Sequence, residues 1–165
     1  MIELLSQEDL DAFASVVAFS KDKPFCWSLM PAMLERIGKF AEHYCPDTMP
    51  PLLLSHVMKD FTAVQQGFFI LGAVQDEELV GHLLTVVSVP PWSYIRRALI
   101  LQYEIDDGAR APLGLLRAGL DLVVDWAKTQ YCQKIIAETK TEKMKRLFTM
   151  CYGFKLDMIQ VEREF

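Results

Sequence analysis

Glu104 is the residue in this sequence best placed to move a proton. It stands near the end of a run, Ala98 to Asp106, in which Leu99, Leu101, Tyr103 and Ile105 alternate with Ile100, Gln102, Glu104 and Asp106. Period-two alternation puts the first set on one face of a strand and the second on the other, so the second face turns polar toward its C-terminal end. A carboxylate there can act as a general base, taking a proton directly or through a water. A solvated acid paired with Arg96 or Arg97 is the competing reading. His82, on a preceding apolar run, is the second candidate base, against its reading as a hydrogen-bonded core histidine.

Directly after that strand come Asp106-Asp107-Gly108-Ala109-Arg110-Ala111 and then Pro112-Leu113-Gly114-Leu115. Proline suits the first turn of a helix, and Leu116, Leu120, Val123, Val124 and Ala127 share one face while Arg117, Asp121, Asp125 and Lys128 share the other. The helix should run from Pro112 to about Gln130. Its first turn carries no acid, Arg110 lies just upstream, and Gly114 lets a ligand approach the backbone without a Cβ in the way. Such an N-terminus favours an anion. A strand over Gln133 to Thr139 follows and should lie parallel to the first, the two parting to open a slot for a ligand.

The other elements are legible in outline. Ile2 to Leu5 reads as a strand, Ser6-Gln7-Glu8-Asp9 has the form of a capping box, and Leu10, Phe13 and Val17 recur at helical spacing. A second helix starts at Ser28, with Pro31 in its first turn, and carries Met33, Leu34, Ile37, Phe40, Ala41 and Tyr44 on one face. Leu53, Leu54, Val57, Met58, Phe61 and Val64 mark a third, ending near Gly67. Phe68 to Val74 and Leu79 to Val89, joined by Gln75-Asp76-Glu77-Glu78, read as an antiparallel hairpin. The helical insert, about 23–66, should cover one side of a substrate groove. Its aromatics, Phe25, Trp27, Phe40, Tyr44 and Phe61, suit an acceptor site or partner surface, though helical spacing also makes most of them core.

This order, strand, glycine turn, helix, strand, short helix and Tyr152-Gly153-Phe154, resembles the end of GNAT-type acyl-CoA N-acetyltransferases, from Phe68 onward and more weakly over Ile2 to Val17. Asp125-Trp126-Ala127-Lys128 is similar to the family's usual helix end. The resemblance implies an α/β fold, with a mixed, mostly antiparallel sheet flanked by helices and a helical insert after the first strand. It implies transfer of an acyl group from acetyl-CoA to a primary amine by direct attack, without a nucleophilic cysteine. A GNAT-like binding or structural module without activity is the alternative. Ile105 and Asp106 would meet the pantetheine arm, the turn from Arg110 to Leu116, with Ala111, Leu113, Gly114 and Leu115, would hold the pyrophosphate, and Thr139 to Glu142 would form the second wall. Thr149, four residues before Gly153, occupies the place of the family's general acid and can orient a water. Tyr152 stands nearby, with a packed capping aromatic as its other reading.

Bulk properties narrow the field. At 165 residues and 52% hydrophobic, with ten Phe and three Trp, the chain supports one buried core and should form one domain. A net charge of −5 argues against binding nucleic acid through its phosphates. Cys26, Cys45, Cys132 and Cys151 show no metal-site spacing, and neither His43 with Cys45 nor His56 or His82 makes a metal site; Cys132 and Cys151 read as buried packing residues. No basic leader precedes an apolar run, and no run approaches the ~18 residues of a spanning helix, so the chain should be soluble and cytoplasmic, without a membrane partner. The apolar stretch Phe154 to Glu164 could pair with a second copy as a homodimer. The resemblance implies a small-molecule or peptide amine as the acceptor.

Overall fold

The computed structural model describes residues 15–45, 47–63, 67–139, 141–151, 153 and 154. The chain begins there with strand β1 (Ser15–Ala18), then helices α1 (Pro24–Tyr44) and α2 (Pro50–Thr62), and a hairpin of β2 (Phe68–Gln75) and β3 (Glu78–Ser88). Strand β4 (Arg97–Ile105), helix α3 (Pro112–Thr129) and strand β5 (Lys134–Ala137) follow, then the short helix α4 (Glu142–Arg146) and a π-helical turn, Leu147–Cys151. The sheet runs β1-β2-β3-β4-β5 in space, antiparallel throughout except for the parallel pair of β4 and β5. The mixed, mostly antiparallel sheet expected from the sequence is therefore the one formed.

Adjacent residues of the central strands feed two cores. On one face Ile70 and Leu84 pack with Phe19, with Cys26, Met30, Met33 and Ile37 of α1, and with Val57 and Phe61 of α2. On the other face Leu71, Leu83 and Ile100 pack with Leu116, Leu120 and Val123 of α3 and with Phe148. Each fully buried Leu, Ile or Phe contributes about 1.5–3 kcal/mol, so both helical layers are held mainly by these side chains. Phe61 belongs to this set and Phe40 is buried as well, whereas Phe25 and Trp27 are exposed and Tyr44 is half-buried. Trp27 meets Phe61 edge-on, with ring centroids 4.9 Å apart.

Several local expectations change. Val17 lies in β1, paired with Gly72, rather than in a helix, because backbone pairing with β2 outweighs a helical spacing carried by three residues. Ile2 to Leu5, Ser6 to Asp9, Leu10, Phe13, Val64, Tyr152 and the stretch after Phe154 fall outside the described residues. Helix α1 starts at Pro24 rather than Ser28, which places Pro31 inside the helix instead of in its first turn. The helical insert is confirmed as α1 and α2, but the strand that precedes it is β1.

Two register shifts shape the sheet near its functional end. Leu84 faces Gln102 and Thr85 faces Ile100, so Leu101 is an extra residue on β4, a β-bulge. It overturns the strict alternation expected for β4. Ile100 joins Tyr103 in the core on the α3 side, and Leu101 packs instead with the α1 and α2 side. At the other shift, between Ala73 and Val74, β3 approaches β4 so closely at Gly81 that an added Cβ would lie 2.9 Å from both the Glu104 carbonyl oxygen and Ile105 Cγ1. Gly81→Ala is therefore expected to destabilise the fold by about 1–3 kcal/mol, read as a lower urea midpoint at unchanged m-value.

Candidate functional site

The slot expected between the parallel strands begins at Ile100. The β4–β5 register ends at Ile100 opposite Ala137, and the last bond between them runs from Glu138 N–H to the Ile100 carbonyl at 3.2 Å. From Leu101 to Ile105, β4 continues along β3 while β5 no longer pairs with it. Asp106 N–H donates to Val80 C=O at 2.9 Å, so the backbone groups of Asp106 and Glu104 turn toward β3. Those of Tyr103 and Ile105 consequently turn toward the side from which β5 has parted.

The turn beyond β4 is held by a residue that sequence reasoning passed over. Gln75, the buried last residue of β2, accepts from Arg110 N–H at 3.0 Å and donates from Nε2 to Arg110 C=O at 2.8 Å. The Arg110 guanidinium pairs with Asp76 in the hairpin turn, whose two residues, Asp76 (φ 51°) and Glu77 (φ 65°), are left-handed as a two-residue hairpin loop requires. Ala111 is also left-handed (φ 47°, ψ 53°) and delivers the chain to Pro112 in the first turn of α3. The first bond of that helix runs from Leu115 N–H to Ala111 C=O at 3.0 Å. Among the described residues no side chain caps this end, and no acid lies in its first turn, which leaves the positive end of the dipole for an anion.

The candidate ligand contacts in this turn divide clearly. Leu113 is exposed and Gly114 half-buried, whereas the side chains of Leu115 and Leu116 are buried toward the sheet, which leaves only backbone for a ligand there. Arg110 is engaged at its N–H, its carbonyl and its guanidinium.

On the opposite face of β4, Arg36 of α1 gathers the acids. Its guanidinium bonds Asp106 through both nitrogens, at 2.8 and 3.2 Å, and lies 3.5 Å from Glu104. The partner of Glu104 is thus Arg36 and not Arg96 or Arg97, which sit at the far end of the strand; Arg96 donates to Gln130 C=O instead. Glu104 faces His82 across the ladder, with His82 Nδ1 3.8 Å from its Oε2. His82 is buried, touches the Phe40 ring edge-on, and bonds Gln102 at 3.0 Å, while Gln102 donates to the Ile37 carbonyl at 3.3 Å. Burial pushes the imidazole down to about 4, against a weaker upward effect of the Gln102 bond.

The second wall is thinner. Thr139 is half-buried after β5, and Thr141 caps α4 by accepting from Met144 N–H at 3.2 Å, while exposed Glu142 pairs with Lys145. The Thr149 hydroxyl donates back into its own helix, to Lys145 C=O at 2.9 Å. Phe148 beside it meets Tyr103 with ring centroids 6.2 Å apart, which docks the π-helical turn on β4. A mostly apolar cavity of about 20 Å³, room for about one water, lies between α3 and the sheet, lined by Val16, Leu71, Leu83 and Leu116 and, toward the end of β4, by Tyr103, Glu104 and Ile105. Cys26, Cys45 and Cys132 are free thiols, with Cys132 half-buried rather than buried, and no cluster of metal-ligating side chains occurs among the described residues. No described helix is long and apolar enough to cross a membrane.

His82 should also set an acid limit on stability. The unfolded chain binds a proton near pH 6.5 that the folded imidazole refuses down to about 4. Stability from this group is complete above pH 6.5 and is lost as pH falls toward 4, by about 3 kcal/mol in all. Urea unfolding at pH 7, 6 and 5 should show that decline, and His82→Gln should flatten it.

No family model matches the sequence, and no curated protein matches it. Solved structures do. A ribosomal-protein-alanine N-acetyltransferase from Brucella melitensis biovar Abortus 2308 superposes with a TM-score of 0.64 at 14% identity, over 92% of this chain and 99% of that one. An aminoglycoside acetyltransferase from an uncultured soil metagenomic sample gives 0.65 at 15%, over 92% and 98%. The aminoglycoside acetyltransferase AAC(6')-Iy, solved with a bisubstrate analogue containing CoA, gives 0.64 at 13%, again over 92% and 98%. Taken with the strand order and the parting of β4 from β5, these superpositions show that the chain has the GNAT fold.

Proposed function

We propose that the protein is an acyl-CoA-dependent N-acetyltransferase whose acceptor is a primary amine. The observation that carries this reading is a juxtaposition: the uncapped, acid-free N-terminus of α3 lies just beyond the end of β4, past the point where β5 parts from it. The chemistry of this end fits a pyrophosphate. Gly114 offers close approach to the backbone, Ala111 and Leu113 flank it, and Ile105 with Asp106 leads from the slot into the turn. Thr139 and Glu142 would border the ligand from the β5 side. The AAC(6')-Iy complexes with CoA and with a CoA-containing analogue support the assignment.

Bound acetyl-CoA supplies the activated acyl group; the chain's own residues handle position and protons. Glu104 takes a proton from the amine, because only the neutral amine can attack. Its carboxylate is half-exposed, so it can be reached from solvent. Thr149, whose proton is committed to Lys145 C=O, serves as an acceptor that holds a water rather than as an acid. Tyr152, three residues on in sequence and outside the described residues, is the phenol this reading assigns to return a proton to the thiolate. On this reading the chain works in the cytoplasm as one acyltransferase domain, on a small-molecule or peptide amine, without nucleic acid or membrane partners.

The engaged hydroxyl of Thr149 favours a second reading, a GNAT-fold binding module without transfer. Titration of acetyl-CoA with thermal unfolding tests the first requirement. Ligand at a hundred times its Kd should stabilise the fold by about 2.7 kcal/mol, and no shift at millimolar CoA would sink the acyltransferase reading. Given binding, Glu104→Gln should lower turnover at neutral pH by about 10²-fold with CoA binding retained. Binding with no turnover of any amine would select the module.

A further inference from the structure

The hydrogen bonds around His82 determine which of its nitrogens carries the proton. Ile37 C=O can only accept, so the Gln102 atom 3.3 Å from it is the donating Nε2. Oε1 of the same amide therefore faces His82 Nε2 at 3.0 Å, and His82 Nε2 must hold the hydrogen. A neutral imidazole has one N–H, so Nδ1 is left with a bare lone pair. That atom is buried, makes no hydrogen bond within the described residues, and lies 3.8 Å from Glu104 Oε2. Two acceptors thus face each other beside the Arg36 guanidinium, which lies 3.5 Å from the same Oε2, and a proton on Glu104 would give Nδ1 a donor.

We infer that His82 is a positioning residue for the proton step: its Nδ1 receives a hydrogen bond from Glu104 once that carboxylate has taken the proton of the acceptor amine. This rests on Glu104 as the base. In the step the amine N–H bond breaks, an O–H bond forms on Glu104, and that O–H donates to Nδ1; His82 itself is not protonated. The proton then leaves Glu104 for solvent and the carboxylate returns to its ion pair with Arg36. The charged groups that face His82 are Arg36 from α1, Glu104 on β4 and Asp106 just beyond it, with the Phe40 ring packed on its edge. Burial keeps the imidazole neutral over the pH range in which an amine acceptor would react.

Nitrogen-15 NMR of the imidazole in the full chain at pH 7 tests the tautomer without any assay of activity. The expected result is a protonated Nε2 and a bare Nδ1; a proton on Nδ1 would overturn the inference. In Glu104→Gln the new carboxamide can donate, so Nδ1 should move toward the hydrogen-bonded range, and an unmoved resonance counts against the contact. Kinetically, His82→Gln retains an amide for Gln102 but has no atom in the place of Nδ1. It should lower kcat/KM by about tenfold, the worth of one hydrogen bond, and move the acid limb of the pH profile downward. The KM for acetyl-CoA should stay unchanged, which also reports that the variant folds. An unaltered pH profile in His82→Gln, with Glu104→Gln still impaired, would overturn this inference alone. Full turnover in Glu104→Gln would remove both the base and its support.

Discussion

Past Ile100, strand β4 keeps β3 on one edge and loses β5 on the other. Backbone N–H and C=O groups cannot be left buried without partners, so a strand that sheds a neighbour in mid-course must meet something else there. The bulge at Leu101 follows directly on the last residue paired with β5. A bulge adds twist and bends its strand, and it stays hydrogen-bonded to β3 while doing so. The parting of the two parallel strands is thus built into the longer strand itself. The same extra residue turns Tyr103 and Ile105 toward the α3 side and leaves Gln102 and Glu104 facing α1.

Two packed layers keep that bend in place. Ile37 illustrates the α1 layer, because its side chain is wholly buried against the sheet while its carbonyl accepts from Gln102. A carbonyl has two lone pairs, so it can serve the helix and the amide together. On the other side Leu116 and Leu120 anchor α3, and Gln75 fixes the turn that precedes it through both backbone groups of Arg110. The N-terminus of α3 is therefore aimed by packing and by a buried amide, and its orientation needs no ligand.

Much of this layout is legible in the letters. Pro112, the acid-free first turn and the stripe of Leu116, Leu120 and Val123 announce α3, and the two apolar runs around Asp76-Glu77 announce the hairpin, because in these segments local period and tertiary burial agree. The bulge at Leu101 leaves no mark, since one extra residue in an apolar strand changes neither composition nor length. Arg36 and Gln75 are hidden for another reason: their partners are 70 and 35 residues away, and only the folded chain brings them together. Gln102 was visible on the polar side of its strand, yet its role depends on a helix carbonyl that no pattern reveals. The site is thus legible where it is made of helix ends and strand ends, and illegible where it is made of cross-chain bonds.

The unequal sharing of Arg36 follows from the same geometry. Its guanidinium is a rigid fork, and a fork that grips one carboxylate with both tines is spent in that plane. Asp106 takes this bidentate grip, at 2.8 and 3.2 Å, and leaves Glu104 a single longer approach at 3.5 Å. Two acids share this one guanidinium, and the nearby Lys39 is itself paired with Glu35, a balance that fits the proposed amine acceptor. Were Asp106 absent, the fork would be free to close on Glu104 and occupy the lone pairs that the proposed base needs. Asp106 thereby keeps Glu104 near a positive charge without surrendering it, and on the proposed mechanism the bare Nδ1 of His82, which faces the same Oε2 as Arg36, gives the proton somewhere to point.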